Sequence, residues 1–273
     1  MSSPVDSDLS YRVAVFATPD DVADLSEVLS EVLGLHATDA MIHARAAPGI
    51  LPDRLSREQS ERLAQAISDS GLQAAAIPVG EIPTFDHVPM VHHARCAPAG
   101  LEILELHGRP QGAIPWSDVE LVSVGQVPRE GTRHFAPQEM QTVRAARRTG
   151  PSTLETPLSP GPQALIIAAG PFPVLRIDHK QMNYEYLGER KTDSATGNFR
   201  MFLDDVVSCA PAAYLTPATR AYLRHGSVAD YSFESADELV RSTVLHLLLH
   251  RREAGSNPAA PIDAGPDSGG PAT

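Results

Sequence analysis

Hydrophobic and polar positions in the first third of the chain follow a strand period and then a helix period. Residues 11–17 (YRVAVFA) form a short run rich in valine and phenylalanine, which is typical of a buried strand. Helical i, i+3, i+7 spacing follows in the apolar residues Val22, Leu25, Leu29 and Val32. Thr18 is the expected N-cap of this first helix, and Gly34 is its expected end.

Residues that begin and end helices and strands continue in this pattern to residue 78. Thr38 is placed to cap a second helix, which must end before Pro48, and residues 50–51 are too short for more than an edge strand. Ser56 and Gln59 form a capping box for a third helix that runs to Gly71, and residues 72–78 return as a strand. The pattern therefore predicts an α+β module, a small three-stranded sheet with three helices.

The second part of the chain has mainly strand patterns. Apolar or alternating runs predict strands at residues 91–96, 100–106, 112–127, 164–169 and 174–180. Ser235 with Glu238 predicts a capped, strongly amphipathic C-terminal helix. The expected organisation is a disordered start (1–10), a first domain (11–80), a linker (81–89), a second domain (90–252) with a flexible insertion at about 128–162, and a disordered tail (253–273).

Residues 11–78 resemble the C-terminal domain of the bacterial ribosomal stalk protein. The resemblance rests on joint spacing of Gly34-Leu35, Asp39-Ala40, Ala47-Pro48, Leu51, Ser56-Arg57, Glu61, Leu63, Ala66 and Gly71. It implies the stalk-domain fold and a surface on the first two helices for translational GTPases. Glu27, Ser30 and Met41 stand where that family has basic side chains, so we expect the fold to carry over and factor binding not to.

Residues 13–33 also look similar to the adaptor of the Clp protease, a family with the same topology that captures substrate N-termini. The amine-binding Asn-Asp pair of that family would fall near Ala17-Thr18, which cannot bind an amine. Asp20 and Asp21 lie close by and offer carboxylates, although helix capping also accounts for them. Capture of an N-terminal amine therefore stays an alternative.

The second domain resembles a pleckstrin-homology-like barrel closed by a C-terminal helix. Residues 100–103 (GLEI) and 113–119 (AIPWSDV) carry this resemblance. Trp116 is the only tryptophan, and we interpret it as a core anchor, with a ligand-facing aromatic as the alternative.

Charge and cysteine content narrow the function classes. The formal net charge is −12, which argues against general nucleic-acid or anionic-membrane binding because both need a basic face. Cys96 and Cys209 are far apart in sequence and are interpreted as reduced, buried thiols of a cytoplasmic protein. No apolar run is long enough to span a bilayer.

Few residues are candidates for a metal-binding or catalytic site. His87, His92, His93 and His107 cluster in sequence, but neighbouring strand residues face opposite sides, so no metal site is predicted. His246 and His250 share a helical face without the glutamate of a zinc motif. No nucleophile or phosphate-binding motif occurs, and no cofactor is expected.

The most distinctive polar-aromatic cluster is residues 184–191 (YEYLGERK). Exposed tyrosines next to cations suit a protein interface, so Tyr184, Tyr186, Arg190 and Lys191 are the candidate partner surface; the alternative is an ordinary strand followed by a charged turn. The sequence favours a non-enzymatic adaptor that binds another protein or peptide. The alternatives are a peptide-capturing adaptor for a Clp-type protease and an enzyme whose site is assembled from scattered residues.

Overall fold

The computed structural model describes residues 10–85, 88–105, 107–129, 158–169 and 173–256. Within these ranges the chain contains three β-sheets together with α-helices, which confirms an α+β protein. The expected disordered segments at residues 1–9 and 257–273, and most of the expected insertion, lie outside the described residues.

The first module has the predicted three helices and three strands. In chain order they are β1 (Tyr11–Val15), α1 (Val22–Leu33), α2 (Ala37–Arg45), β2 (Gly49–Ile50), α3 (Arg57–Asp69) and β3 (Ala74–Pro78). The sheet is antiparallel with the order β2-β1-β3. Because side chains alternate along a strand, Val13 and Val15 pack against the helices while Ala14 lies on the opposite face.

Local capping signals in this module were partly predicted. Ser56 and Gln59 form the expected capping box of α3, and Gly34 ends α1 with a φ of 68°. The expected cap at Thr18 is wrong, because the carboxylate of Asp21 accepts from the Ala23 amide at 2.7 Å and directly precedes the first helical residue. The expected cap at Thr38 is also wrong, since α2 begins directly after His36.

The second part contains the remaining elements. They are β4 (Ala94–Ala97), β5 (Gly100–Leu104), β6 (Pro110–Pro115), β7 (Val119–Arg129), β8 (Leu158–Ala168), β9 (Val174–Asp178), α4 (Ala195–Cys209), β10 (Tyr214–Leu215), α5 (Pro217–Leu223) and α6 (Ala236–Ser256). Strands β4-β5-β6 form one antiparallel sheet, and β10-β7-β8-β9 form another in which β10 is parallel to β7.

The β-barrel or sheet expected for the second domain is present as separate sheets, and the described residues form no closed barrel. A single strand at residues 112–127 was expected, but the short 3₁₀ helix Trp116–Asp118 divides it into β6 and β7. β6 and β7 therefore belong to different sheets, and side chains of both sheets enter one core. Their shared core includes Val122, Ile166 and the α4 residues Phe199 and Phe202.

Helix α6 confirms the predicted C-terminal helix but lies between the two parts of the molecule. Val244 and Leu248 pack on the first sheet beside Ala75, whereas Leu239 and Leu247 pack on the outer face of the four-stranded sheet. The helix extends to Ser256, so its last turn replaces the start of the expected tail.

The segments expected as linker and insertion are partly structured. Ile82 and Phe85 pack beside α6, and the Val91 amide donates to the Arg176 carbonyl at 2.8 Å along the edge of β9. Strand β7 continues to Arg129 and β8 begins at Leu158, so both ends of the expected flexible insertion are strand. Part of the linker is therefore packed, and the insertion begins later than expected.

Candidate functional site

A groove runs along β3, which is an edge strand of the first sheet. Among the described residues β3 pairs only with β1, and its other edge opens into a cavity of about 1050 Å³. Helix α3 forms one wall of the groove and the last turns of α6 form the other. The lining includes Arg57, Glu61, Gln65 and Ser68 from α3, Leu248, Arg251 and Arg252 from α6, and Gly80, Glu81 and Ile82 after β3.

The strand register determines which backbone groups face the groove. The Phe16 amide donates to the Gln73 carbonyl at 2.8 Å, and the Val79 amide donates to the Ser10 carbonyl at 2.7 Å. Hydrogen-bonded pairs alternate with non-bonded pairs in an antiparallel ladder, so the groups of Ala75 and Ile77 point to β1. The N–H and C=O groups of Ala74 and Ala76 consequently point into the groove.

An arginine contact supports this orientation directly. The Arg252 guanidinium donates from Nη1 to the Ala74 carbonyl at 3.2 Å. Ala74 and Ala75 are buried and Ala76 is half-buried, so this edge is unpaired with another strand but only partly exposed, and Pro78 ends it without an N–H to offer.

The two ends of the groove carry different charges. Arg251 and Arg252 lie at the Ala74 end, and Arg251 is held by two hydrogen bonds of 2.6 and 2.7 Å to Glu120. Glu81 follows the Pro78 end of β3, where Arg57 pairs with Glu61 at 2.7 Å. The Arg57–Glu61 pair is largely exposed and the Arg251–Glu120 pair is partly exposed, so both orient side chains more than they stabilise the fold.

Among the described residues, the groove lining contains no histidine, cysteine or aspartate. Across the described residues, no group of three or more His, Cys, Asp or Glu side chains could hold a metal ion. What the groove offers chemically is an uncovered strand edge with amide donors, carbonyl acceptors and guanidinium groups.

The predicted partner surface is placed differently from the expectation. Tyr184 is only 5% exposed and donates to the His179 carbonyl at 2.8 Å, so its expected exposure is wrong. The expected strand is instead a 3₁₀ helix at Glu185–Arg190, which directs Tyr184 into the core. Tyr186 is half-buried, while Arg190 and Lys191 are exposed.

The Asp205 carboxylate on α4 accepts hydrogen bonds from two residues of the 184–191 segment. Arg190 donates two hydrogen bonds of 2.9 and 2.8 Å to the Asp205 carboxylate, and the Tyr186 hydroxyl donates a third at 3.0 Å. The Arg190 guanidinium lowers the pKa of Asp205, and burial raises the pKa of Tyr186. Arg190 and Lys191 therefore stay candidates for a partner surface. Tyr184 is buried and Tyr186 is half-buried, so neither is an exposed part of that surface.

The two cysteines are free but differ in exposure. Cys96 is half-buried, and burial raises the pKa of its thiol to about 12. Cys209 is exposed at the end of α4, so the expectation that it is buried is wrong.

The histidines and Trp116 occupy structural positions. His92 contacts the Gln181 carbonyl at 3.2 Å, and His250 stacks on Tyr214 at a ring distance of 5.0 Å. The Trp116 indole donates to the Ala97 carbonyl at 2.8 Å while its ring packs on the core, as the anchor interpretation predicts. His87 lies outside the described residues.

The groove was not predicted from the sequence. The alanine run of β3 and the proline after it are visible in the sequence, but the position of β3 at an edge and the approach of α6 depend on tertiary contacts. No protein-family model, curated protein or solved structure matches this chain. No helix in the described ranges is long and apolar enough to cross a membrane.

Proposed function

We propose that this protein is a non-enzymatic adaptor that binds a partner protein or peptide in the groove along β3. The single observation that carries the proposal is the uncovered edge of β3, set between α3 and α6 and open over about 1050 Å³. An edge strand with free backbone groups is a ready template for another chain, and many recognition domains bind peptides there.

The chemistry of the groove supports binding more than catalysis. Of the two acidic side chains in the described lining, Glu61 is paired with Arg57 in an exposed setting and Glu81 is exposed. The alternative of an enzyme with a scattered site finds no support in this lining. We place the adaptor in the cytoplasm, in keeping with its two free thiols.

The Clp-type alternative is less well supported. It needs a carboxylate that can bind an amine after the first strand; of the two candidates Asp21 is engaged in capping α1, which leaves only the exposed Asp20. The ribosomal-stalk and pleckstrin-homology-like resemblances stay predictions and do not enter the proposal.

The experiment tests binding by filling the groove with a bulky side chain on α3, which forms one of its walls. Random displayed peptides of about seven residues, long enough to span β3, are selected on the intact chain. Ser68→Trp fills the groove with an indole, whereas Arg62→Trp places the same side chain at an exposed position of α3 outside the lining. We expect selected peptides to bind Ser68→Trp at least about tenfold more weakly and Arg62→Trp unchanged. Failure to enrich any peptide, or equal binding to both variants, contradicts the proposal.

A further inference from the structure

We infer that the groove takes an extended, basic peptide segment, which adds to β3 as a fourth, antiparallel strand and places a lysine or arginine near Glu81. This inference rests on the proposed function and specifies the mode of binding and the chemistry of the partner. The arginines of the groove keep their present contacts in this arrangement.

The backbone of Ala76 is the centre of the available strand edge. Because Ala75 and Ile77 are bonded to β1, the N–H and C=O groups of Ala76 point into the groove, and no other strand of the described residues pairs with them. The N–H group of Ala74 points the same way, while its C=O group keeps the hydrogen bond from Arg252. An antiparallel guest can therefore bond to both groups of Ala76 and to the Ala74 N–H without displacing Arg252, and it continues the antiparallel geometry of the sheet.

The walls of the groove favour a single segment over a second copy of the chain. Side chains of α3 and α6 lie on both sides of the β3 edge. Two copies that met edge to edge would bring both pairs of helices together before their β3 strands reached the usual spacing of about 4.8 Å. A second copy would also carry the same net charge of −12, which opposes association.

Charge complementarity gives the guest its chemistry. At the Pro78 end of β3, Arg57 is paired with Glu61, whereas Glu81 is exposed and forms no ion pair with another described residue. This end of the groove therefore carries a net negative charge. A guest lysine or arginine there is attracted by the Glu81 carboxylate, and the net charge of −12 favours the approach of a basic segment over an acidic one.

The arginines at the other end determine where the basic residue lies along the guest. Arg251 is ion-paired with Glu120, and Arg252 donates to the Ala74 carbonyl. Both guanidinium groups stay charged, so a further cation beside them is repelled. An antiparallel guest runs from the Pro78 end to the Ala74 end, so its basic residue should lie in its N-terminal half.

The first experiment tests strand addition with the peptides selected on the intact chain, synthesised with acetylated and amidated ends. Each backbone N–H is replaced in turn by N-methyl. A guest strand directs alternate N–H groups at β3, so methylation at every second residue should weaken binding about tenfold or more, while the intervening positions are tolerated. Ala76→Pro removes an N–H that faces the groove and should weaken the same peptides about fivefold or more. Circular dichroism checks that this variant folds, and the methylation series does not depend on it.

The second experiment tests the basic residue. Selected peptides should carry Lys or Arg in the N-terminal half, and replacing that residue by glutamine should weaken binding about two- to fivefold, because an exposed charge pair is weak. Glu81→Gln should remove this preference. Glu58→Gln, at an exposed position of α3 outside the lining, is the matched control and should keep it.

Charge reversal tests whether Glu81 itself is responsible. Glu81→Lys should bind the basic peptides more weakly than the natural chain, and it should bind them better once their basic residue is exchanged for glutamate. Glu58→Lys changes the net charge of the chain by the same amount and should show neither effect. If Glu58→Lys reproduces the reversal, the preference comes from the net charge of the chain, and the placement of the basic residue near Glu81 is overturned.

The outcomes distinguish this inference from the proposed function. If Ser68→Trp blocks the peptides but methylation has no alternating effect, the groove binds partners in another way and strand addition is overturned. Selection of acidic peptides overturns the assigned chemistry, and a basic residue in the C-terminal half overturns the assigned polarity. A dimer of the intact chain that Ser68→Trp dissociates, measured by light scattering, makes a second copy the occupant and overturns the inference. If Ser68→Trp binds as tightly as the natural chain, the proposed function fails as well.

Discussion

The hydroxyl groups of Thr243 in α6 and Ser123 in β7 lie 2.8 Å apart and are hydrogen-bonded in the core. Both residues are almost completely buried, with exposed fractions of 0% and 2%. Thr243 also bonds to the Leu239 carbonyl in the preceding turn of its own helix at 2.7 Å. This polar contact lies among apolar side chains and fixes the position at which α6 meets the four-stranded sheet.

Thr243→Val keeps the shape of the side chain but leaves the Ser123 hydroxyl buried without this partner. We expect the free energy of unfolding to fall by about 1–3 kcal/mol, measured by urea denaturation. Adding Ser123→Ala removes the unsatisfied group and should restore part of that loss. Fully additive effects of the two substitutions would show that the hydroxyl groups are not coupled.

Leu248→Ala tests whether α6 connects the two parts of the molecule. Leu248 packs on the first sheet, whereas the only tryptophan, Trp116, packs in the core of the second part. A cavity at Leu248 should lower stability by about 2–5 kcal/mol, and the unfolding transition seen by Trp116 fluorescence should shift with it.

The control is Ile42→Ala, because Ile42 is 59% exposed on α2. It should change stability by less than about 0.5 kcal/mol. A Trp116 transition that stays in place in Leu248→Ala would show that the first module unfolds independently.

Cys209 should be the only fast-reacting thiol of the folded chain. It is exposed, whereas burial raises the pKa of Cys96 to about 12 and keeps its thiol protonated near neutral pH. A disulfide reagent should modify one thiol quickly and the second only after denaturation. Cys209→Ser should lose the fast phase, and a fast phase that persists in this variant would contradict the assignment.

The first module could be predicted because its signals are local. The Ser56–Gln59 capping box and the left-handed Gly34 act within a few residues, and the structure has both where the sequence indicated them. Strand breaks are less visible. The three residues Trp116–Asp118 form a 3₁₀ helix inside an otherwise continuous apolar run, and this is enough to send β6 and β7 to different sheets.

Contacts that depend on distant elements could not be predicted. Leu247 and Leu248 belong to one apolar stripe in the sequence, yet they contact different sheets because α6 is covered on two sides. Tyr184 was expected to be exposed as part of a partner surface, but it is buried at the start of a 3₁₀ helix. The groove also depends on contacts between distant elements, because the run of alanines in β3 lines a groove only when α3 and α6 flank it.

His246 should make the chain less stable in mild acid. It lies on α6 beside His250, near the Tyr214 ring and Arg220 of the second part. Burial, with a smaller effect of the Arg220 charge, lowers the pKa of His246 in the folded chain. The unfolded chain therefore binds more protons below the ordinary histidine pKa of about 6.5, so this residue lowers stability as the pH falls through that value.

Urea denaturation at about pH 7.5 and about pH 5.5 measures this effect. We expect His246→Gln to lose less stability than the natural chain over that interval, because the variant has no proton to take up at this position on unfolding. His107→Gln, at an exposed position, is the matched control and should keep the slope of the natural chain. The same slope in His246→Gln and in the natural chain would show that other groups control the acid sensitivity of the interface between α6 and β10.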